Sequence, residues 1–205
     1  GIIADGAIRS GKTLAMSLSF VLWAMHTFDG QNFAMCGKTV GSFRRNVLSG
    51  LKQMLPGRGL LVEEHRAENL LIIRQGKIEN RFYLFGGQDE RSQDLIQGVT
   101  LAGVLLDEVA LMPESFVNQA TGRCSVPGSK FWMNCNPGGP THWFKQRWID
   151  QREEKGLLYL HFTMDDNLSL SEEIKARYRA MYAGVFFLRY IKGLWALAEG
   201  LIYTM

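Results

Sequence analysis

Residues Gly6-Ala7-Ile8-Arg9-Ser10-Gly11-Lys12-Thr13 fit the pattern G-x-x-x-x-G-K-[ST]. Two glycines at this spacing let the backbone curl so that successive N–H groups point inward. Those donors, with the N-terminus of a following helix, cradle phosphate oxygens. Lys12 has the length to reach the β- and γ-phosphates of a nucleotide, and the Thr13 hydroxyl is a ligand for Mg²⁺. Arg9 lies inside the loop. It is either a solvent-facing arginine or a guanidinium placed to stabilise charge on a γ-phosphate.

Two other strand tips carry polar chemistry. Gly103-Val104-Leu105-Leu106-Asp107-Glu108 is an apolar run ending in two acids. Beside a phosphate loop, the first acid holds Mg²⁺, directly or through water, and the second polarises the attacking water as a general base. Asp107 is therefore the expected metal residue and Glu108 the expected catalytic carboxylate. Lys130-Phe131-Trp132-Met133-Asn134-Cys135-Asn136-Pro137-Gly138 also ends in polar groups. Asn134 and Asn136 are placed either to contact phosphate or catalytic water, or simply to build a turn with the Pro-Gly that follows.

The elements that must position these groups alternate between strand-like and helix-like segments, which defines an α/β layer fold. A short strand over residues 2–5 enters the loop and a helix over 12–28 leaves it. Strands are expected over 32–36, 104–106, 130–134 and 157–163. A hairpin is expected over 70–73 and 81–85 around Gly76. Helices are expected over 42–55, with Phe43, Val47, Leu48, Leu51 and Leu55 on one face, and over 113–121, 141–154 and 171–182. Thr141 and Ser171 are the expected caps.

The chain has 205 residues, 46% hydrophobic and 21% charged, enough to bury a core as one domain with a short extension. Its formal net charge of +3 is too small for a protein that coats nucleic acid by charge alone. The three cysteines, Cys36, Cys124 and Cys135, are widely spaced and form neither a metal cluster nor a disulfide framework. No apolar run reaches the length of a membrane span, and no signal peptide is evident. Arg44, Arg45, Lys52, Arg58 and Arg66 form either a DNA-facing patch or a solvated surface. Met164-Asp165-Asp166-Asn167 reads as a turn ordering a loop, and His142 and His161 read as structural. Trp132, Trp143, Trp148 and Trp195 read as core or near-core aromatics.

In this order, the strings GAIRSGKT, FGGQDERSQDLIQG, LLDEVALMPESF, NCNPGGPTHWFK, HFTMDDNLSLS and GLWALAEGLIY resemble the ATPase domain of the large terminase subunit of tailed bacteriophages, most of all the PBSX-type prophage group. The resemblance covers essentially the whole chain. It implies a RecA-like P-loop NTPase fold of the additional-strand class, with a mainly parallel central sheet and helices on both faces. The implied cofactors are ATP and Mg²⁺, and the implied activity is ATP hydrolysis driving double-stranded DNA into a procapsid. The nucleotide would be held by Gly6, Ala7, Ile8, Arg9, Ser10, Gly11, Lys12 and Thr13, with Asn134 and Asn136 in the coupling motif. Arg123 matches the position of an arginine finger acting on a neighbouring subunit, and Arg9 matches an in-loop arginine used by some relatives. Portal protein, the small terminase subunit and a homo-oligomeric ring are the implied partners, in the cytoplasm of the bacterial host and away from any membrane. The implied division is an ATPase domain over 1–182 and a connector over 183–205. The apolar ends at 1–4 and 201–205 read as cuts at the edges of a motor domain. With no nuclease segment in these 205 residues, no nuclease activity is expected of this chain. The rival readings are a helicase-like translocase and a nucleotide-binding remnant that no longer hydrolyses.

Overall fold

A computed structural model describes residues 1–198. Along the chain lie β1 (Ile2–Gly6), α1 (Lys12–Thr27), β2 (Asn32–Gly37), α2 (Val40–Phe43), α3 (Ser49–Met54), β3 (Leu61–His65), β4 (Leu70–Gln75), β5 (Ile78–Gly86) and β6 (Gly103–Leu106). These are followed by α4 (Glu114–Gly122), β7 (Lys130–Asn134), β8 (Leu158–Phe162), α5 (Glu172–Met181) and α6 (Gly184–Phe186). The chain divides into two compact units. One is Gly1–Ile2 with Thr13–Asn134, and the other is Ile3–Lys12 with Cys135–Met205. The connector expected over 183–205 is described only to residue 198, and the apolar run over 201–205 lies outside the described residues.

In the first unit the strand order is β3-β4-β5-β2-β6-β7. Strands β5, β2, β6 and β7 are parallel neighbours, and β3 and β4 add an antiparallel flank. This is the mainly parallel α/β architecture that the alternation of segments predicts. β6 is buried along its whole length, as expected of a continuous apolar run inside a parallel sheet. The registers Cys36↔Leu106 and Leu106↔Met133 bring the carboxyl ends of β2, β6 and β7 level. The polar residues that follow those strands therefore emerge along one edge. The Asp107 N–H extends the ladder by donating to the Cys36 carbonyl at 2.8 Å.

The core of this unit is aromatic. Phe20 is fully buried, with Phe33 and Phe82 edge-on to it at 5.9 and 6.2 Å and Trp132 at 5.4 Å. The Trp132 indole N–H still finds a partner, the Ser19 hydroxyl at 3.1 Å. The apolar face expected on the segment after β2 is real: Phe43, Val47, Leu48, Leu51 and Leu55 are all buried. That segment starts earlier than expected, at a Thr39 cap paired with Ser42, and a π-helical turn over Arg44–Leu48 separates α2 from α3. The basic residues nearby are largely engaged within the unit. Arg44, Lys52 and Arg66 converge on the Glu64 carboxylate. Strand β3, which supplies Glu64, was not anticipated, because Leu61-Val62-Glu63-Glu64-His65 lacks the apolar alternation of a half-buried strand.

In the second unit β1 and β8 are neighbours. Their carboxyl ends meet where the Ala7 N–H donates to the Phe162 carbonyl at 2.8 Å. The helix expected over 141–154 is shorter, helical only over 143–149. Thr141 does not cap it. The His142 Nδ1 accepts the Phe144 N–H at 3.1 Å instead. Ser171 does cap α5, accepting the Ile174 N–H at 3.3 Å.

Candidate nucleotide site

The loop after β1 has the backbone that its glycines permit. Gly6 and Gly11 take φ values of +134° and +84°, which L side chains rarely adopt. A Cβ at Gly6 would also overlap the Phe162 carbonyl. Arg9 is left-handed at φ 57° without being glycine. Such a residue costs on the order of 1–3 kcal/mol and persists only where its surroundings hold it. Here Asn167 Nδ2 donates to the Arg9 carbonyl at 2.7 Å, and Arg9 Nε donates to the Tyr178 hydroxyl at 3.1 Å. The exposed Arg9 side chain is thus directed to α5.

Lys12 is buried. Its ammonium donates to the Ala7 carbonyl at 2.8 Å and to Asn136 Oδ1 at 2.6 Å. The Asn-Pro-Gly segment therefore does more than turn the chain, since it holds the loop lysine. Ser10 is 3% exposed, and its hydroxyl has no hydrogen-bond partner among the described residues. A buried hydroxyl without a partner is uncommon, and an incoming phosphate oxygen would satisfy it.

Thr13 follows Lys12 directly in the chain and belongs to the first unit. Its hydroxyl donates to Asp107 Oδ1 at 3.0 Å. Asp107 is buried, and Glu108 beside it is left-handed at φ 57°. The Glu108 N–H donates to Asn134 Oδ1 at 3.3 Å, so the tip of β7 fixes the backbone of the second acid. The Nδ2 of Asn134 is buried with no partner among the described residues. Left-handed non-glycine residues concentrate at functional sites, and two of the three among the described residues are Arg9 and Glu108.

A hydroxyl and a carboxylate in contact are the donor set Mg²⁺ uses when it keeps several waters and takes further oxygens from phosphate. Thr13 and Asp107 fit that ion. Among the described residues no group of three or more His, Cys, Asp or Glu could hold a metal ion. The His142 Nδ1 accepts the Phe144 N–H, and the His161 Nδ1 lies against Asp5. The cysteine thiols are free. Burial raises the thiols of Cys36 and Cys135, and pushes that of Cys124 up to about 12, so none is poised as a nucleophile.

Arg123 is not brought near Asp107. It ends α4, and its carbonyl accepts the Leu101 N–H at 2.9 Å, at the amino end of β6, whereas Asp107 follows the carboxyl end. Its guanidinium faces Gln119, whose amide oxygen, once the amide is turned, accepts from Arg123 at 2.7 Å. Sequence reading missed Asp5, Asn167 and Tyr178 as parts of the loop's surroundings. Asp5 had a visible signal: an acid in an otherwise apolar strand, directly before the first loop glycine.

The strand–loop–helix with a buried lysine, and the Thr13–Asp107 pair on a mainly parallel sheet, define the P-loop NTPase class. The model of the phage terminase large subunit family matches residues 2–185, and the chain belongs to that family. The large terminase from a thermophilic bacteriophage is 65% identical, with a TM-score of 0.95 over 100% of this chain and 50% of that one. The same terminase has been solved in complex with ADP (64% identity, TM-score 0.94, 100% and 50% coverage). It has also been solved in complex with ATP-gamma-S (62% identity, TM-score 0.92, 99% and 49% coverage). The Thermus phage P74-26 large terminase ATPase domain shares the fold at 17% identity, with a TM-score of 0.69 over 94% of this chain and 88% of that one. This chain therefore spans about half the length of the thermophilic phage terminase structures. No curated protein sequence matches it. Among the described residues no helix is long and apolar enough to cross a membrane.

Proposed function

We propose that this chain binds and hydrolyses ATP as the motor part of a phage large terminase, powering movement of double-stranded DNA into a procapsid in the bacterial cytoplasm. The observation that carries the reading is the buried Lys12 held between the Ala7 carbonyl and Asn136, followed directly in the chain by Thr13, whose hydroxyl donates to Asp107. The complexes of the thermophilic phage terminase with ADP and ATP-gamma-S support nucleotide binding. The ATPase domain is assigned to 1–182 and the connector to 183–205.

In the proposed mechanism the N–H groups of residues 9–13 and the Ser10 hydroxyl surround the phosphates, while those of Ala7 and Ile8 stay bonded to the Phe162 and Tyr190 carbonyls. Lys12 exchanges its contact with Asn136 for a γ-phosphate oxygen and neutralises charge there. Mg²⁺, when bound, offsets the remaining phosphate charge, with Thr13 and Asp107 as the residues that would hold it. Glu108 accepts the proton of the attacking water, and Asn134 keeps the Glu108 backbone in its left-handed conformation. Asn136, released by Lys12, becomes free to report the state of the γ-phosphate.

Arg123 is proposed as a finger acting on a neighbouring copy in a homo-oligomeric ring, with the portal and the small subunit as further partners. Its placement at the amino end of β6, whereas Asp107 follows the carboxyl end, supports action in trans. Arg9, tied to Tyr178, is the proposed in-loop alternative. The test is phosphate release from ATP when Arg123→Ala protein is mixed with Glu108→Gln protein, each expected to be inactive alone. Action in trans predicts that mixing restores activity, because an Arg123→Ala copy keeps its own Glu108 and receives Arg123 from a Glu108→Gln neighbour. No recovery on mixing contradicts action in trans and leaves Arg9 as the proposed arginine.

A further inference from the structure

Asp5 is fully buried at the end of β1, directly before the phosphate loop. A buried carboxylate is tolerated only when its oxygens are hydrogen-bonded. Three side chains from far along the chain meet that need. Oδ1 accepts the Tyr159 hydroxyl at 2.7 Å and faces His161 Nδ1 at 2.8 Å. Oδ2 accepts the Trp195 indole N–H at 2.7 Å. Burial, and then the bond to Asp5, raise the Tyr159 phenol well above its ordinary value, so it stays a protonated donor.

Trp195 belongs to a segment that lies on the loop itself. The Tyr190 carbonyl accepts the Ile8 N–H at 2.9 Å. Gly193, at φ +69°, sits so close that an added Cβ would be 2.8 Å from the Ala7 nitrogen and 2.9 Å from Gly6 Cα. Arg189 closes the segment by donating to the Ala196 carbonyl at 2.7 Å. The Trp195 ring also neighbours His142 at 5.9 Å, and a Cβ at Gly138 would lie 3.6 Å from it. The indole thus reaches the turn that begins at Asn136, the partner of Lys12.

Resting on the reading of residues 6–13 as the phosphate loop, we infer that Asp5 is a positioning residue for that loop, clamping residues 190–195 against its outer side through Trp195. Asp5 does not touch nucleotide. It acts by holding the Ala7 and Ile8 backbone and the turn after Asn136 in one arrangement, so that the loop is shaped before phosphate arrives. A loop shaped in advance improves binding by lowering the ordering cost. The readout is therefore KM more than kcat.

Trp195→Phe keeps an aromatic ring and removes the N–H. Gly193→Ala leaves Trp195 intact and drives a methyl into the loop backbone. Amide hydrogen exchange in the nucleotide-free protein should accelerate about tenfold at Ala7 and Ile8 in both variants, with Met35 in β2 unchanged. In both, KM for ATP should rise about fivefold with kcat within about twofold. Unchanged exchange at Ala7 and Ile8 in Trp195→Phe overturns the inference. So does equal acceleration at Met35, which marks general loss of stability. Because exchange is read without nucleotide, a wild type that neither binds nor hydrolyses ATP defeats the site reading and leaves the clamp standing or falling on its own result.

Discussion

Glu108→Gln protein is expected to bind ATP with an affinity within about twofold of wild type and to release phosphate about 10²–10⁴-fold more slowly, the range a positioned general base contributes. The substitution keeps the shape of the side chain and removes its basicity. The backbone contact that fixes this residue, from its N–H to Asn134 Oδ1, does not involve the side chain. The left-handed φ of 57° is no harder for glutamine than for glutamate. Loss of turnover with binding intact therefore isolates the proton-accepting role. Binding by stopped-flow nucleotide fluorescence and turnover by phosphate release, on the same preparation, separate the two. Unchanged turnover would remove Glu108 from the mechanism, and loss of both would mean that the carboxylate shapes the site rather than the chemistry.

Lys12→Ala carries the second large effect, in binding. A hydrogen bond to a charged group contributes about 1.5–3 kcal/mol, and each 1.4 kcal/mol is about tenfold in affinity, so the Kd for ATP should rise by roughly 10- to 150-fold. ADP should lose less, because the γ-phosphate contact is absent from it. Lys12→Arg should not rescue. The side chain is buried and its ammonium lies within 2.8 Å of the Ala7 carbonyl, a compact setting into which a planar guanidinium does not fit. Competitive titration against a fluorescent nucleotide measures all three. Equal losses for ATP and ADP would place Lys12 on the β-phosphate alone.

The parts of this site that are close in sequence were legible in it. Gly6, Gly11, Lys12 and Thr13 work at fixed offsets along one loop, and Asp107 and Glu108 announce themselves at the end of an apolar run. Asn134 and Asn136 were open between turn chemistry and site chemistry. The contacts that favour site chemistry, Asn136 to Lys12 and Asn134 to Glu108, join positions 124 and 26 residues apart. The loop's supporting residues were illegible for the same reason. Asn167 holds the Arg9 carbonyl across 158 residues, and Trp195 reaches Asp5 across 190. Propensity and spacing report only on neighbours in the chain. The fold shows the same split. The α/β alternation and most strands could be read locally. Strand β3, charged and half-exposed, exists because β4 offers it an antiparallel partner. The helix at 143–149 stops short of the expected 154 although its sequence could continue.

The central claim is that residues 6–13 with Asp107 form a Mg²⁺-dependent ATP site, and calorimetric titration of the wild-type protein with ATP tests it most directly. The prediction is saturable single-site binding with Mg²⁺, weakened about tenfold or more when EDTA removes the ion and Thr13 and Asp107 lose the metal they would hold. Absence of binding under both conditions, or binding indifferent to Mg²⁺, would contradict it.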